Sequence, residues 1–120
     1  MSIDPQLIAQ WRQDNAIDTT LAGQKLRFCT TWGLFSPREI DSGTWLLLKQ
    51  FEDGQIDIKP GDDILDIGCG YGPIGLTLAS LAPQGRTLMV DKDFVAVDYT
   101  RKNIELNRTP NTEAMLSNGL

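Results

Sequence analysis

The period of apolar positions changes several times along this chain, and each change marks an expected element. Asp4-Pro5 has the form of an N-cap and first helical residue, with a short helix running through Leu7, Ile8 and Trp11. Residues 12–22 are polar and mixed, which predicts a loop or a frayed helix end. Lys25 to Thr31 alternates loosely, with Leu26 and Phe28 on one face, and predicts a strand that Gly33 and Ser36-Pro37 break. Ser42-Gly43-Thr44 opens a helix whose apolar side carries Trp45, Leu47, Leu48 and Phe51. Gly54, Pro60 and Gly61 make residues 52–62 a polar connector.

Asp63 to Ile67 is a short run of the buried-strand type, and a glycine-rich turn follows it directly. A helix is expected from about Pro73 to Ala82, with Ile74, Leu78, Leu81 and Ala82 on its apolar side. Pro73 suits the first turn because its missing N–H has no intrahelical partner there. Thr87 to Val90 is a second buried-type strand ending at Asp91. Asp93 caps a helix over about 94–107, and Glu113 to Leu116 is a third strand. Strand, helix, strand, helix, strand is the signature of a parallel sheet with crossover helices. The expected fold class is therefore α/β, a Rossmann-like parallel sheet with flanking helices. The expected organisation is an amino-terminal helix and linker over residues 1–25, followed by the sheet-bearing domain over 26–120.

Charge and composition then remove several functions. The net charge is −5; residues 1–60 carry 6 basic and 8 acidic side chains, and residues 61–120 carry 5 and 8. Neither half is a basic arm with a strong nonspecific grip on nucleic acid. There is no His, which removes the commonest general base and the commonest zinc ligand. Cys29 and Cys69 are far apart, make no metal-ligand spacing, and are expected to be reduced and buried. No apolar run reaches membrane-spanning length and no signal-peptide pattern opens the chain, so a cytoplasmic protein without a membrane partner is the expectation.

The candidate chemistry lies in Leu65-Asp-Ile-Gly-Cys-Gly-Tyr-Gly-Pro-Ile-Gly75. Gly68, Gly70 and Gly72 alternate where a strand must end, a backbone must approach a ligand and a helix must begin. The helix that follows turns its unpaired N–H groups toward that ligand. Asp91 ends the next strand, where a carboxylate can hold a pair of ribose hydroxyls; the plainer reading of Asp91 is a solvated helix-entry residue. Gly70-Tyr-Gly72-Pro-Ile-Gly75 alone fits a dinucleotide fingerprint. Asp66, two residues before Gly68, fits poorly beside a pyrophosphate and well beside an amino group.

Asp66-x-Gly68-x-Gly70-x-Gly72 resembles the first motif of class I S-adenosylmethionine-dependent methyltransferases. Upstream, Phe35-Ser36, Asp41-x-Gly43-Thr44 and Leu47-Leu48 resemble the segment before that motif in the small-domain methyltransferases, which include ribosomal RNA guanine exocyclic-amine enzymes. Asp91, Ala96-Val97, Arg101, Asn103 and Asn107 also resemble that family, and the likeness covers about residues 26–120. It implies S-adenosylmethionine as cofactor and RNA as a candidate substrate. By the same resemblance, Gly68, Cys69, Gly70 and Gly72 line the methionine part of the cofactor, and Asp66 lies near its amino group. Asp91 holds the ribose. Asp41 and Thr44 lie along the methionine end, although Asp41 also reads simply as a helix cap. Ser117 and Asn118 approach the adenine, which the stem of Lys92 covers where the family often has an apolar residue. Asn103 and Asn107 read as structural polar packing.

The family's fourth motif, Asn-Pro-Pro with an aromatic residue, is not found in these 120 residues. The expectation is the amino-terminal part only of a class I methyltransferase fold, truncated before that motif, with catalytic residues unassigned. Two alternatives stay open: a dinucleotide-dependent oxidoreductase fragment, and a non-catalytic remnant keeping a cofactor half-site. The strand at 63–67 is expected to be an open sheet edge that invites self-association.

Overall fold

A computed structural model of the protein describes residues 4–6, 14–36 and 38–117. The helix expected through Leu7, Ile8 and Trp11 lies outside the described residues, as does Asn118. The element order is β1 (Asn15–Leu21), β2 (Gln24–Thr30), α1 (Ser42–Glu52), β3 (Ile64–Ile67), α2 (Pro73–Leu81), β4 (Thr87–Asp91), α3 (Phe94–Asn107) and β5 (Thr112–Leu116). No described helix is long and apolar enough to cross a membrane.

Residues 12–22 are not a loop or a frayed helix end over most of their length. Asn15–Leu21 is a strand that pairs antiparallel with β2, Ile17 opposite Phe28 and Leu21 opposite Gln24. Ala22 and Gly23, at φ of 48° and 78°, make the two-residue turn whose left-handed backbone matches strand twist. Ala22 stands where Asn or Asp usually announces such a turn. The polar Asp18 and Thr20 are the outward half of a strand whose Ile17 and Leu21 are buried. The hairpin therefore straddles the expected boundary at 25/26.

The main sheet is parallel in the order β3-β4-β5, as the alternation of strands and helices predicts. Each crossover joins neighbouring strands in the same direction, so right-handed connections carry α2 and α3 to one face. That face presents Asp66, Met89 and Ala114 in register. Helix α2 approaches it closely because Gly75 has no side chain: a Cβ there would lie 2.4 Å from Met89 Sδ and 2.9 Å from Asp66 Oδ2. The opposite face leaves Leu65, Ile67 and Met115 exposed.

Two asparagines on α3 fasten the hairpin to the main sheet. Asn103, fully buried, accepts from Cys29 N (2.6 Å) and donates to Cys29 O (3.0 Å) and Tyr71 O (2.8 Å). One turn later, Asn107 accepts from Arg27 N (2.8 Å) and donates to Arg27 O (2.7 Å) and Asn103 O (2.8 Å). One helical turn matches two residues of strand, so the amides pair with alternate residues of β2 as a neighbouring strand does. The expected structural role of this pair is the one the geometry displays.

Candidate functional site

The glycine turn runs from the end of β3 into α2. Gly68, Gly70 and Gly72 have φ of 74°, 58° and 104°, a region that side-chain-bearing residues adopt only with strain. A Cβ on Gly68 or Gly70 would meet nothing within 4 Å, so these two face open space. At Gly72 a Cβ would press on Leu76 and Thr100, so that glycine serves the start of α2 instead. Thr100 Oγ1 donates to Gly70 O (2.7 Å) and holds the turn to α3.

The open side of the turn is one wall of a cleft of about 350 Å³ at the carboxyl ends of the strands. Gly33, Leu34 and Phe35 from the loop after β2 form the facing wall, and Asp41, Thr44, Asp91 and Asp93 supply its polar groups. Among the described residues, none of the cleft's lining side chains is basic. A depression of about 450 Å³ at the amino-terminal ends of the strands, beside Asp63, Arg86 and Glu113, lacks any comparable turn.

Main-chain donors hold the acidic groups in place. Asp91 Oδ2 accepts from Gly70 N (3.0 Å), and its Oδ1 accepts from Asp93 N (2.9 Å). Each oxygen keeps a lone pair for a further donor. Asp93 in turn caps α3 by accepting from Val95 N (2.9 Å). Asp41 accepts from Thr44 N (3.1 Å) and Thr44 Oγ1 (2.7 Å), so the capping role is present and the two residues act as one unit at the cleft wall.

Asp66 sits behind the turn rather than on the cleft lining, where its Oδ2 accepts from Gly75 N (3.0 Å). Burial pushes its carboxyl up to about 6; the Gly75 N–H opposes that rise, and the charge of Asp91 adds to it. Cys69 is buried in the lining, its thiol pushed up to about 11 chiefly by burial, and it is free, as is half-buried Cys29.

The structure thus brings together Asp41, Thr44, Gly68, Cys69, Gly70 and Asp91, with Asp66 and Gly72 supporting them from behind. It does not bring Lys92 or Ser117 to the cleft. Lys92 is exposed, and Ser117 continues the β4–β5 pairing by donating its N–H to Asp91 O (2.9 Å). Sequence reasoning missed Tyr71, Pro73, Ile74, Asp93 and Ala96 as lining residues. Tyr71 had a signal, since a large aromatic inside a glycine turn needs a packing partner. It stacks edge-on against Phe28, with ring centroids 5.8 Å apart, and its hydroxyl donates to Ser36 O (3.2 Å).

Comparison with known proteins identifies the family. The family model for the methyltransferase small domain matches residues 25–120. The YbxB protein of Bacillus subtilis is 38% identical over 93 residues, which is 78% of this chain and 44% of that protein. Ribosomal RNA small subunit methyltransferase C of Pseudomonas putida is 41% identical over 75 residues, covering 62% of this chain and 21% of the relative. The structure of a T. thermophilus 16S rRNA N2-guanine methyltransferase with AdoMet and guanosine aligns with a TM-score of 0.72 and 27% identity, over 85% of this chain and 26% of that one. This chain spans less than half the length of these relatives. It belongs to the methyltransferase small domain family.

Proposed function

We propose that this chain forms the cofactor-binding part of an S-adenosylmethionine-dependent methyltransferase acting on a guanine amine of ribosomal RNA. The observation that carries the reading is a glycine turn opening into a cleft with three acids and no base on its walls. S-adenosylmethionine carries a sulfonium and an ammonium against one carboxylate, so a negative cleft suits it. A dinucleotide's pyrophosphate would meet Asp41, Asp91 and Asp93 at close range with no cation or basic side chain to offset them. The RNA substrate is favoured by kinship with the ribosomal RNA methyltransferases. It makes the cytoplasm the expected compartment.

The residues present fit the cofactor in kind. Gly68 and Gly70 leave room for it against the backbone. The free lone pairs of Asp91 suit a ribose diol, and the Asp41–Thr44 unit lines the same cleft. When bound, the cofactor supplies an electrophilic methyl group. The chain's own part is to hold and orient it and to exclude water from one side, since transfer to an amine depends mainly on positioning. Lys92, Ser117 and Asn118 remain proposed adenine-side residues.

Titration with S-adenosylhomocysteine tests the reading directly. Binding is expected to be far tighter than that of NADH, to be abolished in Gly70→Val, and to weaken about tenfold or more in Asp91→Ala. Tighter binding of NADH would overturn it.

The raised Asp66 carboxyl yields a second test. A folded-state pKa above the ordinary carboxylate value means the folded chain holds the extra proton. That contribution is complete below the ordinary carboxylate range and is lost as pH rises through about 6. Thermal melts from pH 4.5 to 8 should show wild type losing stability across that window relative to Asp66→Asn. Parallel curves for the two proteins would contradict it.

The open edge of β3, with exposed Leu65 and Ile67 beside it, supports self-association of this chain through pairing with a second copy. Sedimentation velocity should show a concentration-dependent dimer or larger species that Ile67→Lys reduces. A monomer at all concentrations for wild type would refute this.

A further inference from the structure

The loop after β2 carries a highly exposed aromatic group. Phe35 is 79% exposed, more than any other large apolar residue described, and it stands on the cleft wall facing the glycine turn. The loop that presents it is anchored at several points. Leu34 and Ile40 are buried on either side of it, and Leu34 N donates to Thr31 O (3.1 Å). Ser36 takes a φ of 49°, unusual for a residue with a side chain, and its carbonyl accepts from the buried Tyr71 hydroxyl (3.2 Å). Tyr71 belongs to the glycine turn, so the same residue that helps form the cofactor wall also sets the direction of the Phe35 segment. Strained backbone held by its surroundings occurs preferentially where geometry serves function.

A cation lies on the same loop. The Arg38 guanidinium stacks over the Trp32 ring, 4.3 Å from its centroid, and Trp32 is itself 44% exposed. Two exposed aromatic rings and a guanidinium therefore share the short stretch Trp32–Arg38 beside the cleft. The cleft walls are acidic and repel phosphate, so a nucleic acid must keep its backbone outside while a single base turns inward. Aromatic faces suit the base, and Arg38 suits the phosphate that stays outside.

We propose that Phe35, Trp32 and Arg38 form the platform that receives an unstacked base of single-stranded RNA at the mouth of the cofactor cleft. This rests on the methyltransferase reading above and adds a substrate-positioning role at the mouth of the cleft, where Phe35 lines the wall and Trp32 and Arg38 lie off the lining. Phe35 and Trp32 supply stacking surface that tolerates any base, and Arg38 holds the adjoining phosphate. The guanidinium favours RNA over an apolar peptide segment, which has no use for a cation at that point.

The test uses the whole chain, a fluorescently labelled guanosine-containing single-stranded RNA decamer, and S-adenosylhomocysteine. Phe35→Ala should weaken RNA binding about tenfold, as expected for one lost stacking contact, while Phe35→Trp retains it. Arg38→Ala should also weaken RNA binding and reduce the salt slope by roughly 0.7, the value for one lost single-strand phosphate contact. Melting temperature should stay at the wild-type value in all three variants, and S-adenosylhomocysteine affinity should stay there in Arg38→Ala, since Arg38 lies off the cleft lining. RNA affinity unchanged in Phe35→Ala or in Arg38→Ala, measured without S-adenosylhomocysteine, would overturn the platform. Wild-type chain that binds S-adenosylhomocysteine but no RNA would also overturn it and leave the cofactor reading standing. Failure to bind S-adenosylhomocysteine at all counts against the cofactor reading itself, and retained RNA binding lost in Phe35→Ala would still support the platform.

Discussion

The side-chain amide of Asn103 joins the two halves of this structure. Its oxygen and both its N–H groups are engaged, by Cys29 N, Cys29 O and Tyr71 O. The hairpin β1–β2 and the sheet β3-β4-β5 share no backbone pairing. α3 connects them through Asn103 and Asn107 on the edge of β2, beside the Phe28–Tyr71 ring contact. Leaving such buried main-chain groups unpaired costs about 1–3 kcal/mol each. Because Asn103 also holds Tyr71 O, the hairpin is tied to the glycine turn itself. The loop after β2, which forms one wall of the cleft, is thereby set against the turn that forms the other.

The chemistry of the cleft follows from how its acids are fixed. Asp91 is held by Gly70 N and Asp93 N, and Asp41 by Thr44. Groups positioned by the main chain need little rearrangement when a ligand arrives, which lowers the cost of binding. Asp66 differs, since it is half-buried behind the turn, near Asp91, and accepts from Gly75 N. The close approach of α2 at Gly75 places that carboxylate where ionisation is costly. A cationic ligand group near the turn would offset that cost, so the apo chain gives up stability at a position that suits a charged cofactor.

Much of this was legible in the sequence, for identifiable reasons. The order of strands and helices after residue 63 follows from short apolar runs, Pro73 and the Asp93 cap, all local signals that the fold respects. The glycines at 68, 70 and 72 need positive φ, and they have it. Strand β1 was hidden because its exposed face is polar and its turn begins with Ala22 instead of Asn or Asp. Ile74, Asp93 and Ala96 reach the cleft through the packing of α2 and α3 on one sheet face, which spacing along the chain does not encode. Lys92 and Ser117 were assigned by analogy of position and lie off the cleft lining, Ser117 joined to Asp91 through the main chain.

The central claim is that the glycine turn and its hydrogen-bonded acids grip the cofactor. Backbone amide shifts in a nitrogen–proton correlation spectrum, recorded while S-adenosylhomocysteine is added, test it most directly. The largest shifts should fall on Gly68, Gly70 and Asp93, with Ile64 and Thr87 at the opposite strand ends little changed. Saturable shifts centred on those opposite ends, with Gly68 and Gly70 unmoved, would contradict the account.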